Sequence, residues 1–274
     1  MFRRVVPFLV AVPLAACVST VGGKSAAAPV PTAPTTTTTT TGPPPDGAYP
    51  PGDCLAIEDG IQVVSCEEPH EYEVTLSDEL PAGVPDTFPP ELATVVGPTC
   101  RETLVEFTGS TDVEASLVEA AYVWPTEPRW RAGQRWYSCL ASVDSANGET
   151  TRRTGSLRDV LADGLGDLRQ CLVGGPADPG PAIMVSCDQP HRSEAVTPVV
   201  KLGELSGPPP TRADIEAVTT GECRAAVEEY LGGERDGVGF GMSYGSPEQW
   251  PAGYNTGTCM AISDAPVTGL MGPA

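Results

Sequence analysis

The sequence is short of positive charge. Lys and Arg together number 16 against 36 Asp and Glu, which leaves a formal charge of −20. A protein that grips nucleic acid by its phosphates needs a basic stripe to displace counterions, and none is available. Electrostatic docking on anionic lipid is excluded on the same ground. Nowhere do about 20 apolar residues run together, so the sequence reads as having no transmembrane helix. Aromatic residues are scarce at 6%, and hydrophobic residues reach only 40%, so part of the chain lies outside any packed core. Histidine is confined to two positions, His70 and His191.

Proline and glycine, by contrast, are abundant, with 30 residues each, well above the usual share of about 12% for the two together. There are nine Cys, a number that points to disulfides.

The first 16 residues read as a lipoprotein signal peptide. Arg3 and Arg4 precede an apolar stretch from Val5 to Ala16, too short to span a bilayer but suited to a signal-peptide core. It ends in Leu14-Ala15-Ala16-Cys17, which resembles the bacterial lipobox, where the Cys thiol takes a diacylglycerol and cleavage falls just before it. The paired arginines alone do not make a twin-arginine export signal. At least two acyl chains on Cys17 hold stably in a bilayer. That places the protein on the outer face of the plasma membrane, in an oxidising compartment. Residues 17–49 then read as a lipidated Cys and a disordered tether of Ala, Pro, Thr and Gly, with an unbroken threonine run from Thr35 to Thr41. So little of it is buriable that ordering it has nothing to offset the entropy lost. It would reach roughly 100 Å into the wall when extended, and its Thr-Pro runs have the composition of O-glycosylated stalks.

The remainder is one pattern written twice. Cys54, Cys66, Cys100 and Cys139 recur as Cys171, Cys187, Cys223 and Cys259 at offsets of 117, 121, 123 and 120 residues. Val64-Ser65-Cys66-Glu67-Glu68-Pro69-His70 matches Val185-Ser186-Cys187-Asp188-Gln189-Pro190-His191. Glu106-Phe107-Thr108-Gly109 matches Glu229-Tyr230-Leu231-Gly232, and Trp130 and Gly133 match Trp250 and Gly253. The organisation expected is a domain over 50–144, a linker over 145–164, a second domain over 165–264 and a flexible tail over 265–274.

Within a copy, Cys54–Ile57 and Ile61–Val64 flank a turn at Glu58-Asp59-Gly60, which brings Cys54 nearly opposite Cys66. Tyr72 to Leu76 continues as a strand. Leu92, Val95, Val96, Cys100, Leu104 and Phe107 follow helical spacing, as do Ile215, Val218, Cys223, Val227 and Tyr230. Gly97-Pro98 is expected to split the first helix in two. Further strands are read near 120–124 and 136–142. Pairing first with second and third with fourth Cys gives Cys54–Cys66, Cys100–Cys139, Cys171–Cys187 and Cys223–Cys259. The fold class is α+β: a tandem repeat of two small disulfide-bonded domains, each an antiparallel sheet with one packed helix.

Gly52-Asp53-Cys54-Leu55, Val64 through Glu71, the helical Cys100, and Trp130-Arg131-Ala132-Gly133 followed by Cys139 resemble the actinobacterial septum-formation domain family. The second copy resembles it less fully, since it lacks the Gly-Asp before its first Cys. The resemblance implies an envelope-exposed domain linked to cell division, and no established catalytic residues to carry over.

Several constellations bear on chemistry. His70 and His191 each precede a carboxylate by three residues, Glu73 and Glu194, which reads as a metal, acid/base or binding site, or as a ring that closes a turn. Residues three apart on a strand face opposite sides, which favours the turn. Gly241-Met242-Ser243-Tyr244-Gly245 fits the hydrolase elbow pattern, yet no His follows in the chain to complete a triad. The Cys spacings lack the close pairs of zinc sites, so neither metal nor cofactor is expected. Trp124, Trp130, Trp136 and Trp250 are candidates for a glycan-stacking face, Trp130 and Trp250 at repeat-equivalent places.

The function expected is a non-catalytic envelope lipoprotein that binds a septal protein or wall component. The alternatives are a wall-acting enzyme and a metal- or solute-binding lipoprotein using His70 and His191. Replacing Cys17 by Ala should release the protein from membranes into the soluble fraction. Continued detergent-only extraction of that variant would refute lipidation.

Overall fold

A computed structural model of the chain describes residues 26–28, 45–145, 149–175 and 183–272. The signal peptide, Cys17 and most of the tether lie outside these residues.

The turn signal at 58–60 folds as read. Strands β2 (Cys54–Ile57) and β3 (Ile61–Val64) pair antiparallel, with Cys54 opposite Val64 and Ile57 opposite Ile61. Gly60 takes φ 135° at the turn, a conformation L side chains rarely adopt. Cys66, two residues past the end of the pairing, bonds Cys54 with Cα atoms 5.2 Å apart. Strand β4 (Tyr72–Glu79) follows, then helix α1 (Ala93–Thr108), β5 (Val118–Pro125), the short helix α2 (Glu127–Arg131) and β6 (Trp136–Val143). Cys100 of α1 bonds Cys139 of β6 and so fixes the helix to the sheet.

The second half repeats this plan with β7 (Cys171–Leu172), β8 (Met184–Val185), β9 (His191–Lys201), α3 (Arg212–Val218), α4 (Arg224–Leu231), β10 (Val238–Tyr244) and β11 (Thr256–Val267). Its disulfides are Cys171–Cys187 and Cys223–Cys259. The strand order is β5-β6-β4-β2-β3 in one sheet and β10-β11-β9-β7-β8 in the other, the same order element for element. The first sheet carries an additional edge strand, β1 (Ala26–Ala28), parallel to β5. The fold is α+β. No helix among the described residues is long and apolar enough to cross a membrane.

Three expectations about chain organisation change. The expected split at Gly97-Pro98 does not occur, because α1 runs unbroken from Ala93 to Thr108 with Pro98 inside it. The Gly-Pro pair instead serves packing: a Cβ on Gly97 would lie 2.6 Å from the Ala252 carbonyl oxygen, so only glycine lets α1 approach the second half there. The interruption falls in the second half, where a π-helical turn over Thr219–Cys223 separates α3 from α4. The tether boundary also moves, since Ala48 and Tyr49 are buried against Leu55, Val74 and Trp136, and Ala26–Ala28 joins the sheet.

The segment read as a linker is part of the core. Leu157, Leu161 and Leu165 are buried together with Leu104, Phe107, Val118 and Ala141 of the first half and with Leu172, Ala195 and Met260 of the second. Residues 158–163 within that segment form a set of turns. Backbone bonds stitch the same seam: Leu117 N–H donates to the Leu168 carbonyl at 2.7 Å and Gln170 N–H to Ala115 at 2.9 Å. The Asp112 carboxyl accepts the Val199 N–H at 2.7 Å.

A shared core couples the two sheets energetically. Unfolding should therefore follow one calorimetric transition with matching calorimetric and van't Hoff enthalpies. Leu161→Ala should lower stability by about 2–4 kcal/mol and keep that single transition. Two resolved transitions would show that the halves unfold independently.

Candidate functional site

Both histidines lie inside the protein. His70 and His191 are 1% and 0% exposed, and each Nδ1–H donates to the carbonyl two residues earlier, Glu68 and Gln189, at 2.8 Å. That bond closes the turn after the hairpin in both halves and fixes the ring. The Nε2 atoms are buried without a hydrogen-bond partner. The carboxylates three residues on are buried too, Glu73 at 2% and Glu194 at 0%, opposite Cys54 and Cys171 in the sheet register.

A buried carboxyl without donors is costly, and each finds two. Glu73 accepts from the Leu157 N–H at 2.7 Å and the Ser156 hydroxyl at 2.7 Å. Glu194 accepts from the Met271 N–H at 2.7 Å and from the Tyr230 hydroxyl. Burial and this bond push the Tyr230 hydroxyl up to about 12. Arg169 adds an ion pair to Glu194 at 3.7 Å.

The donors identify two segments as counterparts. Arg153 pairs with His70 and Val267 with His191. Two residues on, the Gly155 N–H donates to Cys66 at 2.7 Å and the Gly269 N–H to Cys187 at 2.8 Å. These glycines share φ values of 81° and 83°, and two residues further come the buried Leu157 and Met271. Each half is thus closed by a clasp, Thr-Gly-Ser-Leu at 154–157 and Thr-Gly-Leu-Met at 268–271. The first lies in the segment expected as a linker and the second in that expected as a flexible tail. The tail expectation fails, because β11 runs on to Val267 and the Gly269 and Met271 N–H groups are bonded to Cys187 and Glu194. The signal was a four-residue similarity at an offset of 114, displaced from the Cys offsets and too short to stand out. The hydroxyl source swaps between the halves: the helix offers Phe107 where the clasp has Ser156, and Tyr230 where the clasp has Leu270.

The four tryptophans are buried. Trp130 and Trp250 point their indole N–H groups at the Asp86 and Gly207 carbonyls, both at 3.1 Å, in repeat-equivalent anchors for the preceding loop. None offers an exposed ring face for a glycan. Ser243 of the Gly-x-Ser-x-Gly stretch lies within β10, opposite Thr258, and the chain continues through a short 3-10 turn at Trp250–Ala252, so the strand-to-helix elbow is not formed. Among the described residues, Cys54, Cys66 and Glu73 bring metal-ligating atom types together, but the two sulfurs are joined to each other and have no thiolate to give.

The junction between the halves holds a second acidic cluster. Arg101 of α1 pairs with Glu114 and stacks on the Tyr254 ring, 3.3 Å from its centroid. Glu119 lies beside them, and its carboxyl is pushed up to about 8 by burial first, then by the negative charges of Glu114 and Asp144, against the pull of Arg101. An unfolded glutamate releases its proton near 4.5. Between those values the folded chain holds a proton that the unfolded chain lacks. Stability is then greatest at the acidic end and falls as pH rises from about 4.5 to about 8. Urea midpoints measured across that range should fall with pH, and Glu119→Gln should flatten the trend. An unchanged slope in that variant would show that Glu119 titrates normally.

Among comparisons with known proteins, no curated protein and no solved structure matches the chain. One family model, described as septum formation, matches residues 91–259. The match begins just before α1 and ends at Cys259, so it runs across the seam through both sheets as a single stretch. On that match over more than half its length, the chain belongs to the septum-formation family.

Proposed function

We propose that this protein is a non-catalytic lipoprotein of the cell envelope, held on the outer face of the plasma membrane through Cys17. In this reading it binds a septal protein or wall component during cell division. The family match carries the link to septum formation. The equal strand order of the two sheets supports descent from one duplicated domain.

Support for binding over catalysis comes from what the polar groups are already doing. Glu73 and Glu194 are committed to clasp amides and hydroxyls, and the histidine Nδ1 atoms to their own turns. A general acid or base needs a reachable proton and substrate access. These groups are enclosed by the chain they hold. Crosslinking in intact envelopes, followed by recovery of tagged protein, should enrich a partner from the division site. The double substitution His70→Ala and His191→Ala should lower stability more than partner recovery. A hydrolytic activity toward wall material that disappears in that double variant, with the fold intact, would overturn the non-catalytic reading.

A further inference from the structure

The two clasps occupy equivalent places but are not equally fixed. The first continues into the shared core: beyond Leu157, the Asp159 and Leu161 N–H groups donate to Phe107 and Thr108 at 2.9 and 3.0 Å, and Leu161 and Leu165 are buried. The second reaches its place through an irregular crossing. Between the pairs Ile262–Ser193 and Val267–His191 the register of β11 on β9 shifts, so β11 carries three surplus residues and Asp264, Ala265 and Pro266 stand exposed. Past this bulge, only Met271 is buried, while Leu270 is 38% exposed. The Met271 carbonyl accepts from Arg235.

The receiving surface is built for a pattern more than for one sequence. The Cys187 carbonyl takes the N–H of a residue at φ 83°, which selects glycine. The Glu194 carboxyl takes the N–H two residues later. An apolar side chain at that position packs with Val196, Val227, Cys259 and Ala261. Because Tyr230 already supplies the second donor to Glu194, the residue after the glycine is free to vary. The counterpart slot in this same chain accepts a different segment of the same pattern.

We propose that the slot formed by Cys187, His191 and Glu194 is a peptide-binding site, occupied in cis by residues 267–271. Its external ligand is an extended segment of a partner protein with Gly-x-(Leu/Met), the residue two before the glycine pairing with His191. Recognition is then strand addition with one apolar anchor. The tethered clasp competes at an effective concentration on the order of millimolar, so a partner gains access when it brings further contacts or when the clasp is released. This inference rests on the binding reading above and names the ligand for it.

The test uses the full chain and a labelled peptide of residues 264–272, read by fluorescence anisotropy. Gly269→Val strains the clasp at its positive φ, and Met271→Asp removes its anchor; either should open the slot. Both variants should bind the peptide at least 10-fold more tightly than the wild-type chain. A peptide of residues 150–158 should bind them too, whereas a 264–272 peptide carrying Gly269→Val should bind at least 10-fold more weakly. Circular dichroism and intact disulfides establish that a variant is folded. A folded variant that binds neither native peptide at millimolar concentration overturns the proposal. So does equal binding of a scrambled peptide, or self-association of the opened variants in place of peptide binding. Because the purified chain is the reagent, this result is separate from envelope crosslinking: peptide failure with partner recovery refutes the slot alone, and the converse refutes the septal partner alone.

Discussion

Two buried carboxyls dictate where the chain must go. Glu73 and Glu194 sit within β4 and β9 at the first disulfide of each half, buried from water. Each therefore needs donors from the protein itself. A backbone N–H of a clasp supplies one, which fixes the path of residues 153–157 and 267–271. In the first half, the path set by Glu73 delivers Leu157, Leu161 and Leu165 to the space between the sheets. The common core between the sheets is built on that delivery. The disulfides beside these carboxyls hold the hairpins in place by limiting the unfolded chain. They do not choose the route of the connecting segments.

The exchange of hydroxyls between the halves shows that satisfaction of the carboxyl is the constraint, not the identity of the donor. Where the helix has Phe107 the clasp has Ser156; where the clasp has Leu270 the helix has Tyr230. Both arrangements bring one N–H and one hydroxyl to the buried group. The histidines play a neighbouring part. Each locks the turn that presents the carboxyl and pairs by its backbone with the start of the clasp. The His-x-x-Glu spacing thus describes a receptor for a chain segment, with the ring and the carboxyl in separate tasks.

Much of the framework was legible in the residues. The short turn at Glu58-Asp59-Gly60 set the hairpin register, and the register set the Cys54–Cys66 bridge. The helical spacing of Leu92, Val96, Cys100, Leu104 and Phe107 placed Cys100 toward the sheet. What stayed hidden depends on contacts between distant parts of the chain. Gly97-Pro98 reads locally as a break, yet its reason is the carbonyl of Ala252. The clasps carry no periodicity, only a glycine and one apolar residue among polar ones, and such segments look like linker and tail. Trp130 and Trp250 looked available for stacking because their burial depends on loops at Asp86 and Gly207 that no local pattern reveals.

The claim that buried carboxyls hold the clasps is tested most directly by hydrogen exchange of two backbone amides in the native chain, Leu157 and Met271. Amides bonded to a buried group exchange only when the segment opens. The account predicts protection of at least about 100-fold over an unstructured chain at both positions, with Leu157 the slower because its segment is locked into the common core. Exchange of Leu157 and Met271 as fast as that of exposed loop amides would contradict it.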